Sequence, residues 1–128
     1  MAKLAQSGFI VKVHDPQVTQ AGFEFEMVAQ GHHALVEGND SENKASTAGR
    51  VEFVGDDRLK AAQGASALLI LTEWDQFKTY DYEEMMSQMS ETAGPKTLYD
   101  FRQLMSKEFL VDGPFERAFQ LGVGWLKQ

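Results

Sequence analysis

The sequence predicts an α/β fold with a Rossmann-like, mostly parallel sheet that has helices on both faces. Segments with strand-like and helix-like patterns alternate along the 128 residues, and such alternation is typical of parallel sheets with helical crossovers. Residues 67–71 form an unbroken apolar run, as in a strand that is covered on both faces. The polarity changes abruptly at Thr72, where the carboxyl end of that strand is expected.

The individual elements follow from periodicity and from the residues that end them. Gly8 suits the position after a helix, and Pro16 ends a strand because it lacks an amide proton. In chain order we predict a helix end at 1–6, a strand at 9–14, a helix at 17–29, a polar loop at 31–49, a strand at 50–54, a helix at 58–63, a strand at 67–71, a helix at 82–89, a strand at 96–100, a helical turn at 104–110, a helix at 115–121 and a strand at 123–126.

Composition excludes several classes of protein. The formal net charge is −7, which argues against nucleic acid and against anionic membrane as partners. The chain has no cysteine, so disulfides, thiolate metal sites and a cysteine nucleophile within it are excluded. No apolar run is long enough to span a membrane and no secretory signal opens the sequence, so a cytoplasmic location is expected.

Two further kinds of site are not expected. His32 and His33 lie in a polar loop without acidic or thiolate partners at ligand spacing, so we predict no metal site there. Gly122-Val123-Gly124 lacks the third glycine of a dinucleotide fingerprint and leaves no room for a following helix. NAD is therefore not expected to bind to this chain alone.

Thr72, Glu73 and Trp74 form a polar and aromatic cluster directly after the buried strand. Ligands of open α/β sheets bind beyond the carboxyl ends of the strands, so the cluster is a candidate site. A structural alternative has Thr72 or Asp75 capping a short helix and Trp74 anchoring the loop in the core. Residue types alone favour that structural alternative.

A second candidate cluster is Tyr99-Asp100-Phe101-Arg102, at the end of the next predicted strand. A guanidinium can bind a phosphate or diphosphate through two parallel N–H bonds, and Asp100 could orient it or contact a ribose. The alternative is an ordinary surface salt bridge, which stabilises little. Because the two strands are expected to be neighbours, both clusters should share one edge of the sheet.

The segment 72–77, followed by Tyr80-Asp81-Tyr82, resembles the C-terminal, UDP-binding domain of UDP-glucose 6-dehydrogenases. The resemblance extends over residues 7–127 and includes 11–16 and the group Asp100-Phe101-Arg102. It implies that the domain binds the UDP part of UDP-glucose. It also implies a full-length cytoplasmic homo-oligomer that uses two NAD and a cysteine nucleophile to oxidise UDP-glucose to UDP-glucuronate.

The resemblance also assigns individual residues. Arg102 matches the family arginine that contacts substrate, while Thr72, Glu73 and Trp74 match the segment at the nucleotide end of the sheet. Phe101 stands where the family usually has glycine, so a bulky ring occupies a position that would otherwise admit ligand. With Asp100, these six residues are the predicted substrate-binding set, and no catalytic residue is predicted.

Other departures from the family suggest that residues 1–128 are an N-terminally truncated domain. The loop at 31–49 is longer than usual, and the first strand, with its following Phe-Lys loop, is missing. The strands at 10–14 and 67–71 would then border an empty position that is closed by direct pairing or filled by another segment. We expect an inactive chain that binds UDP with millimolar affinity at best, about −4 kcal/mol. The alternatives are a stand-alone nucleotide-binding module and an interaction module without redox chemistry.

Overall fold

The computed structural model describes residues 2–31 and 49–128, with side chains from residue 4 onward. The chain divides into two compact units, Met1–Ala61 and Ala62–Gln128, and each is described separately. His32, His33 and most of the loop predicted at 31–49 lie outside the described residues. The interpretation of the two histidines therefore stays a prediction.

The described part of the first unit contains short helices and two parallel strands. Strands β1 and β2 pair in register over most of their length, with Val11 opposite Val51 and Val13 opposite Phe53. Its elements are α1 (Ala2–Gln6), β1 (Ile10–His14), α2 (Gln20–Ala29), β2 (Arg50–Gly55) and most of α3 (Arg58–Ala62).

The described residues of the first unit share one hydrophobic core. Ala5, Phe23, Met27 and Val51 are buried, and the ring of Phe23 stacks on that of Phe53 with 4.8 Å between the centroids. Helix α2 begins after Thr19, whose side chain accepts a hydrogen bond from the Gly22 amide and so satisfies one of the free donors of the first turn.

The second unit is a four-stranded sheet with three short helical segments. The strand order is β3-β4-β5-β6, in which β3, β4 and β5 are parallel and β6 is antiparallel to β5. Its elements are β3 (Ala67–Ile70), a 3-10 helix (Asp75–Thr79), α4 (Tyr82–Gln88), β4 (Thr97–Asp100), α5 (Lys107–Asp112), β5 (Arg117–Gln120) and β6 (Gly124–Lys127).

The two faces of this sheet differ in burial because side chains alternate along each strand. One face carries Leu98 and Ala118, which have no exposed surface, together with Ile70, Asp100 and Gln120. The other face carries an in-register row of apolar side chains, one from each strand, which we call the aromatic row: Leu69, Tyr99, Phe119 and Trp125. Leu69 and Trp125, at its two ends, remain 40% and 37% exposed.

The predicted α/β organisation is confirmed, and parallel pairing of β1 with β2 and of β3, β4 and β5 agrees with a Rossmann-like arrangement. The strands are distributed over two sheets, whereas the sequence predicted one. Among the described strands, β1 pairs with β2 and β3 pairs with β4. Strands β1 and β3, the two that were expected to border the missing first strand, belong to different sheets of the described residues. The empty position between them therefore stays a prediction.

The helix predicted at 115–121 is wrong. Phe115, Ala118 and Phe119 have helical spacing, but residues 117–120 form strand β5 between β4 and β6. Ala118 and Gln120 are buried on one face, and Phe119 points to the other, so the burial follows a period of two. Pairing with two neighbouring strands outweighs the local helical pattern. In addition, the turn predicted at 104–110 is helix α5, which begins after Ser106.

Candidate functional site

An open pocket of about 270 Å³ lies at the carboxyl ends of β3 and β4, within the second unit. It is lined by Leu71, Thr72, Glu73, Trp74 and Arg102. Four of these residues belong to the predicted substrate-binding set, and they come from both predicted clusters. The predicted sharing of one edge is therefore confirmed, whereas binding itself stays a prediction.

Parallel pairing of β3 with β4 brings the two clusters together. Leu69 lies opposite Tyr99 and Ile70 opposite Asp100, so the segments that follow the two strands leave the sheet side by side. The Phe101 amide extends the pairing by donating to the carbonyl of Ile70 at 3.1 Å. The polar residues after each strand thus face a common space at the sheet edge.

Asp100 holds the loop that presents Arg102. Its carboxylate is completely buried and accepts hydrogen bonds from the backbone amides of Arg102 at 3.0 Å, Leu104 at 3.1 Å and Met105 at 2.8 Å. Gln120 donates a fourth bond from its side chain at 3.0 Å. The loop therefore folds around a carboxylate whose two oxygens are both engaged.

The charge of Asp100 is stabilised by these donors. Burial alone would raise the pKa of its carboxyl, but the bonds from Met105, Gln120, Leu104 and Arg102 outweigh it and lower the pKa below the ordinary value. Asp100 is consequently ionised at neutral pH and acts as an anionic centre beneath the loop.

Arg102 forms an ion pair with Glu73 across the pocket. The Nη2 atom of Arg102 donates to Oε1 of Glu73, which joins the segment after β4 to the segment after β3. Both side chains are about half exposed, at 47% and 58%, so solvent and solutes reach the guanidinium. An exposed pair of this kind contributes little to stability.

Trp74 gives the pocket a partly exposed aromatic wall. The residue directly precedes the 3-10 helix and makes no side-chain cap, and Asp75 is already within the first turn of that helix. With 38% of its surface exposed, Trp74 is not a core anchor, so the structural alternative for this segment is not supported. Thr72 is also exposed and offers a hydroxyl to the pocket.

Asp100 and Phe101, the other two residues of the predicted set, do not line the pocket. The ring of Phe101 stacks on Tyr99 at 6.0 Å and lies 6.3 Å from Phe119, so it extends the aromatic row. The ring that was expected to obstruct the ligand is therefore directed toward the sheet face.

Sequence reasoning missed two residues that support the site. Gln120 links Asp100 to the carbonyl of Met105, and Gln103 donates to the carbonyl of Leu121 at 2.8 Å. Gln120 could not be predicted as a partner of Asp100, because the segment 115–121 was predicted to be a helix. Its contact with Asp100 depends on the strand that it occupies. Leu71, the fifth lining residue, was read only as the end of the apolar run.

The described residues contain no group of three histidine or acidic side chains that could hold a metal ion. They also contain no helix that is long and apolar enough to cross a membrane.

Comparison with known proteins gives the chain its family. Residues 1–107 match the UDP binding domain of the UDP-glucose/GDP-mannose dehydrogenase family. The chain belongs to this family. The matched range includes every residue of the predicted substrate-binding set, and it confirms the resemblance inferred from the segment that begins at Thr72.

Individual family members are similar over most of this chain. UDP-glucose 6-dehydrogenase 2 of Oryza sativa subsp. japonica is 33% identical over 101 residues, which cover 79% of this chain and 20% of that protein. UDP-glucose 6-dehydrogenase of Rattus norvegicus is 29% identical over 102 residues, covering 80% of this chain and 18% of that protein. The chain thus spans about a fifth of the length of these relatives.

Proposed function

We propose that this chain binds the UDP part of a UDP-sugar, as the UDP-binding portion of a UDP-glucose 6-dehydrogenase. The observation that carries the proposal is the position of Arg102. Its guanidinium lies on a loop fixed by Asp100 and opens into a pocket next to Trp74. A charged fork beside an aromatic wall suits a ligand with a diphosphate and a planar base.

In this proposal, each lining residue contacts a different part of the ligand. Arg102 provides donors for phosphate oxygens, and its charge persists at any working pH. Trp74 provides a flat apolar surface for the uracil or ribose, and the Thr72 hydroxyl can donate or accept a hydrogen bond. Pockets for whole drug-sized ligands are about 300–1,000 Å³, so a space of 270 Å³ suits part of a nucleotide-sugar.

Asp100 and Phe101 act as positioning residues in this proposal. The carboxylate of Asp100 uses its two oxygens to hold the amides of the loop and the Gln120 side chain, and it lies away from solvent. Phe101 packs on Tyr99 and fixes the other side of the same loop. Both residues would therefore influence binding through Arg102.

Redox chemistry would come from outside this chain. The sequence holds neither cysteine nor a dinucleotide fingerprint, so the thiol and the NAD site of a dehydrogenase would have to be supplied by other parts of the enzyme. The oxidation of UDP-glucose to UDP-glucuronate, a cytoplasmic location and a homo-oligomeric enzyme belong to this proposal. The chain alone is expected to be inactive.

The test is a titration followed at the Trp74 indole by NMR. The chain has two tryptophans, so Trp125→Phe assigns the Trp74 signal. UDP, UMP and uridine should bind in decreasing order of affinity, with UDP in the millimolar range. Arg102→Ala should weaken UDP binding by about ten-fold or more, because a charged hydrogen bond contributes about 1.5–3 kcal/mol.

The matched control is Lys107→Ala, which removes one positive charge from an exposed position that does not line the pocket. It should leave the affinity for UDP unchanged. Equal affinities for UDP and uridine, or equal effects of the two substitutions, would contradict the proposal.

The alternative of an interaction module rests on a different observation. Leu69 and Trp125 leave the ends of the aromatic row open to solvent, and apolar surface of this kind can contact another protein. The same titration distinguishes the two functions. An interaction module should show no chemical-shift change at Trp74 with any of the three ligands.

A further inference from the structure

Glu73 forms an ion pair with the guanidinium of Arg102, the group that the proposed ligand requires. The Oε1 atom of its carboxylate accepts a hydrogen bond from Nη2 of Arg102, and both side chains line the same pocket. Carboxylate and phosphate oxygens use the same fork of guanidinium donors. A phosphate that approaches Arg102 therefore meets a donor already in use and a negative charge beside it.

An ion pair of this kind has two possible roles: it can hold the arginine ready for ligand, or it can compete with the ligand. The backbone around Arg102 does not depend on Glu73, since Asp100 binds the amides of Arg102, Leu104 and Met105 directly. Glu73 itself is 58% exposed, so its side chain has space to move away from the guanidinium. Both observations favour competition.

We propose that Glu73 is an internal competitor for phosphate, which lowers the preference of the pocket for phosphate-bearing ligands over neutral nucleosides. This inference rests on the proposed function of the same site. A ligand with a diphosphate displaces the carboxylate because two charges and several oxygens replace one carboxylate contact. A ligand with a single phosphate gains less, and a neutral nucleoside leaves the ion pair in place. Glu73 thus lowers the affinity for diphosphates the most, lowers the affinity for weaker anions by the same factor or less, and leaves the affinity for neutral ligands unchanged.

The test compares Glu73→Gln with the unaltered chain by the same NMR titration, with UDP, UMP, inorganic pyrophosphate and uridine as probes. Removal of a competing exposed ion pair should tighten binding of pyrophosphate and UDP by about 1.5- to 5-fold. The gain for UMP should be equal or smaller, because a ligand gains at most the free energy of the ion pair that it displaces. The preference for UDP over uridine should therefore rise. The affinity for uridine should not change.

Two control variants distinguish the effect of the ion pair on affinity from the effect of a negative charge alone. Glu83→Gln removes the same charge from an exposed position in the first turn of α4 and should leave all affinities unchanged. Glu73→Asp keeps the charge but shortens the side chain by one methylene, so it should weaken the contact with Arg102 and give an intermediate gain. Circular dichroism checks that each variant is folded.

The outcomes distinguish this inference from the proposed function. Weaker or unchanged binding of pyrophosphate by Glu73→Gln would overturn competition, even where Arg102→Ala abolishes binding. A gain for Glu73→Gln with none for Glu73→Asp would also overturn it, because the effect would then come from charge without pairing. Loss of all dependence on Arg102 would instead overturn the proposed function.

Discussion

The side-chain amide of Gln120 lies 3.0 Å from Oδ2 of Asp100 and joins the carboxyl ends of β4 and β5. The same amide donates to the carbonyl of Met105 at 3.0 Å, where the loop after β4 turns toward α5. One residue of the neighbouring strand therefore helps to fix the loop that carries Arg102. Stability and ligand affinity are expected to be linked through this contact.

Replacement of Asp100 by Asn should destabilise the second unit by about 2–4 kcal/mol at neutral pH. The amide keeps one acceptor, but its nitrogen replaces the other oxygen, so its donors would face either the Leu104 amide or the Met105 amide that Asp100 now accepts from. Urea denaturation measures the effect as a lower midpoint. Asp112→Asn, at an exposed position, is the control, and an equal loss in both variants would contradict the assigned network.

The stability of the unaltered chain should fall in acid partly because of Asp100. Since the pKa of Asp100 is lowered by folding, its ionised form favours the folded state. This contribution is complete above the pKa of the unfolded chain, about 3.9, and is lost as the pH falls through the lower folded value. The difference in unfolding free energy between the unaltered chain and Asp100→Asn should therefore shrink below about pH 4, as urea titrations at several pH values would reveal.

The hydroxyl of Tyr82 should resist ionisation until the chain unfolds. It is buried and donates to the carbonyl of Phe77 at 2.6 Å, and burial together with nearby Tyr80 and Asp100 raises the pKa of Tyr82 well above its ordinary value. Absorbance of tyrosinate should appear in a separate step that coincides with alkaline unfolding by circular dichroism. That step should be missing in Tyr82→Phe, which also loses about 1 kcal/mol because the hydrogen bond from the hydroxyl to the Phe77 carbonyl is removed.

The stability of helix α5 should depend on its N-cap residue, Ser106. The Ser106 side chain accepts a hydrogen bond from the Phe109 amide at 3.1 Å, so Ser106→Ala should cost about 1 kcal/mol in thermal or urea unfolding. Ser106→Asp keeps an acceptor and places a negative charge at the helix start, so it should retain full stability. A similar loss of stability in Ser106→Ala and Ser106→Asp would contradict this prediction, because the loss would then not come from the missing hydrogen-bond acceptor.

The turn between β5 and β6 should be coupled to the Arg102 loop. A Cβ atom at Gly122 would lie 2.6 Å from Nε2 of Gln103, the atom that binds the carbonyl of Leu121. Gly122 also has a φ of +86°, which side chains disfavour. Gly122→Ala should therefore destabilise the chain by about 1–2 kcal/mol and weaken UDP binding.

Gly64→Ala is the matched control for this coupling. Gly64 has a φ of +70°, but nothing lies within 4 Å of the added atom, so only the backbone cost remains. Its destabilisation should be smaller and its affinity for UDP normal. Addition of Gln103→Ala to Gly122→Ala should add little further loss if the two residues are coupled.

The sequence was sufficient to predict the edge at which the pocket lies. The apolar run before Thr72 and the short strand before Phe101 indicated parallel neighbours, and a general rule places ligands at their carboxyl ends. That rule concerns topology, so it does not require knowledge of side-chain directions. The juxtaposition of Trp74 and Arg102 followed from it.

The details of the site required coordinates. The directions of the amides that bind Asp100 depend on the backbone of the loop, including a φ of +54° at Gln103 that its sequence does not demand. The pairing of Glu73 with Arg102 depends on two long side chains that are 29 residues apart. The strand at Arg117–Gln120 was missed because its helical spacing is a local signal, whereas its pairing is not local.

The antiparallel direction of β6 has a practical consequence for biophysical work. Because β6 runs opposite to β5, Lys127 pairs near Ala118 and the chain leaves the sheet at the amino ends of the parallel strands. Thr72 and Arg102 lie at the other end of those strands. A biotin or sensor-surface tether attached after Gln128 should therefore immobilise the protein without obstructing access of nucleotide to the pocket.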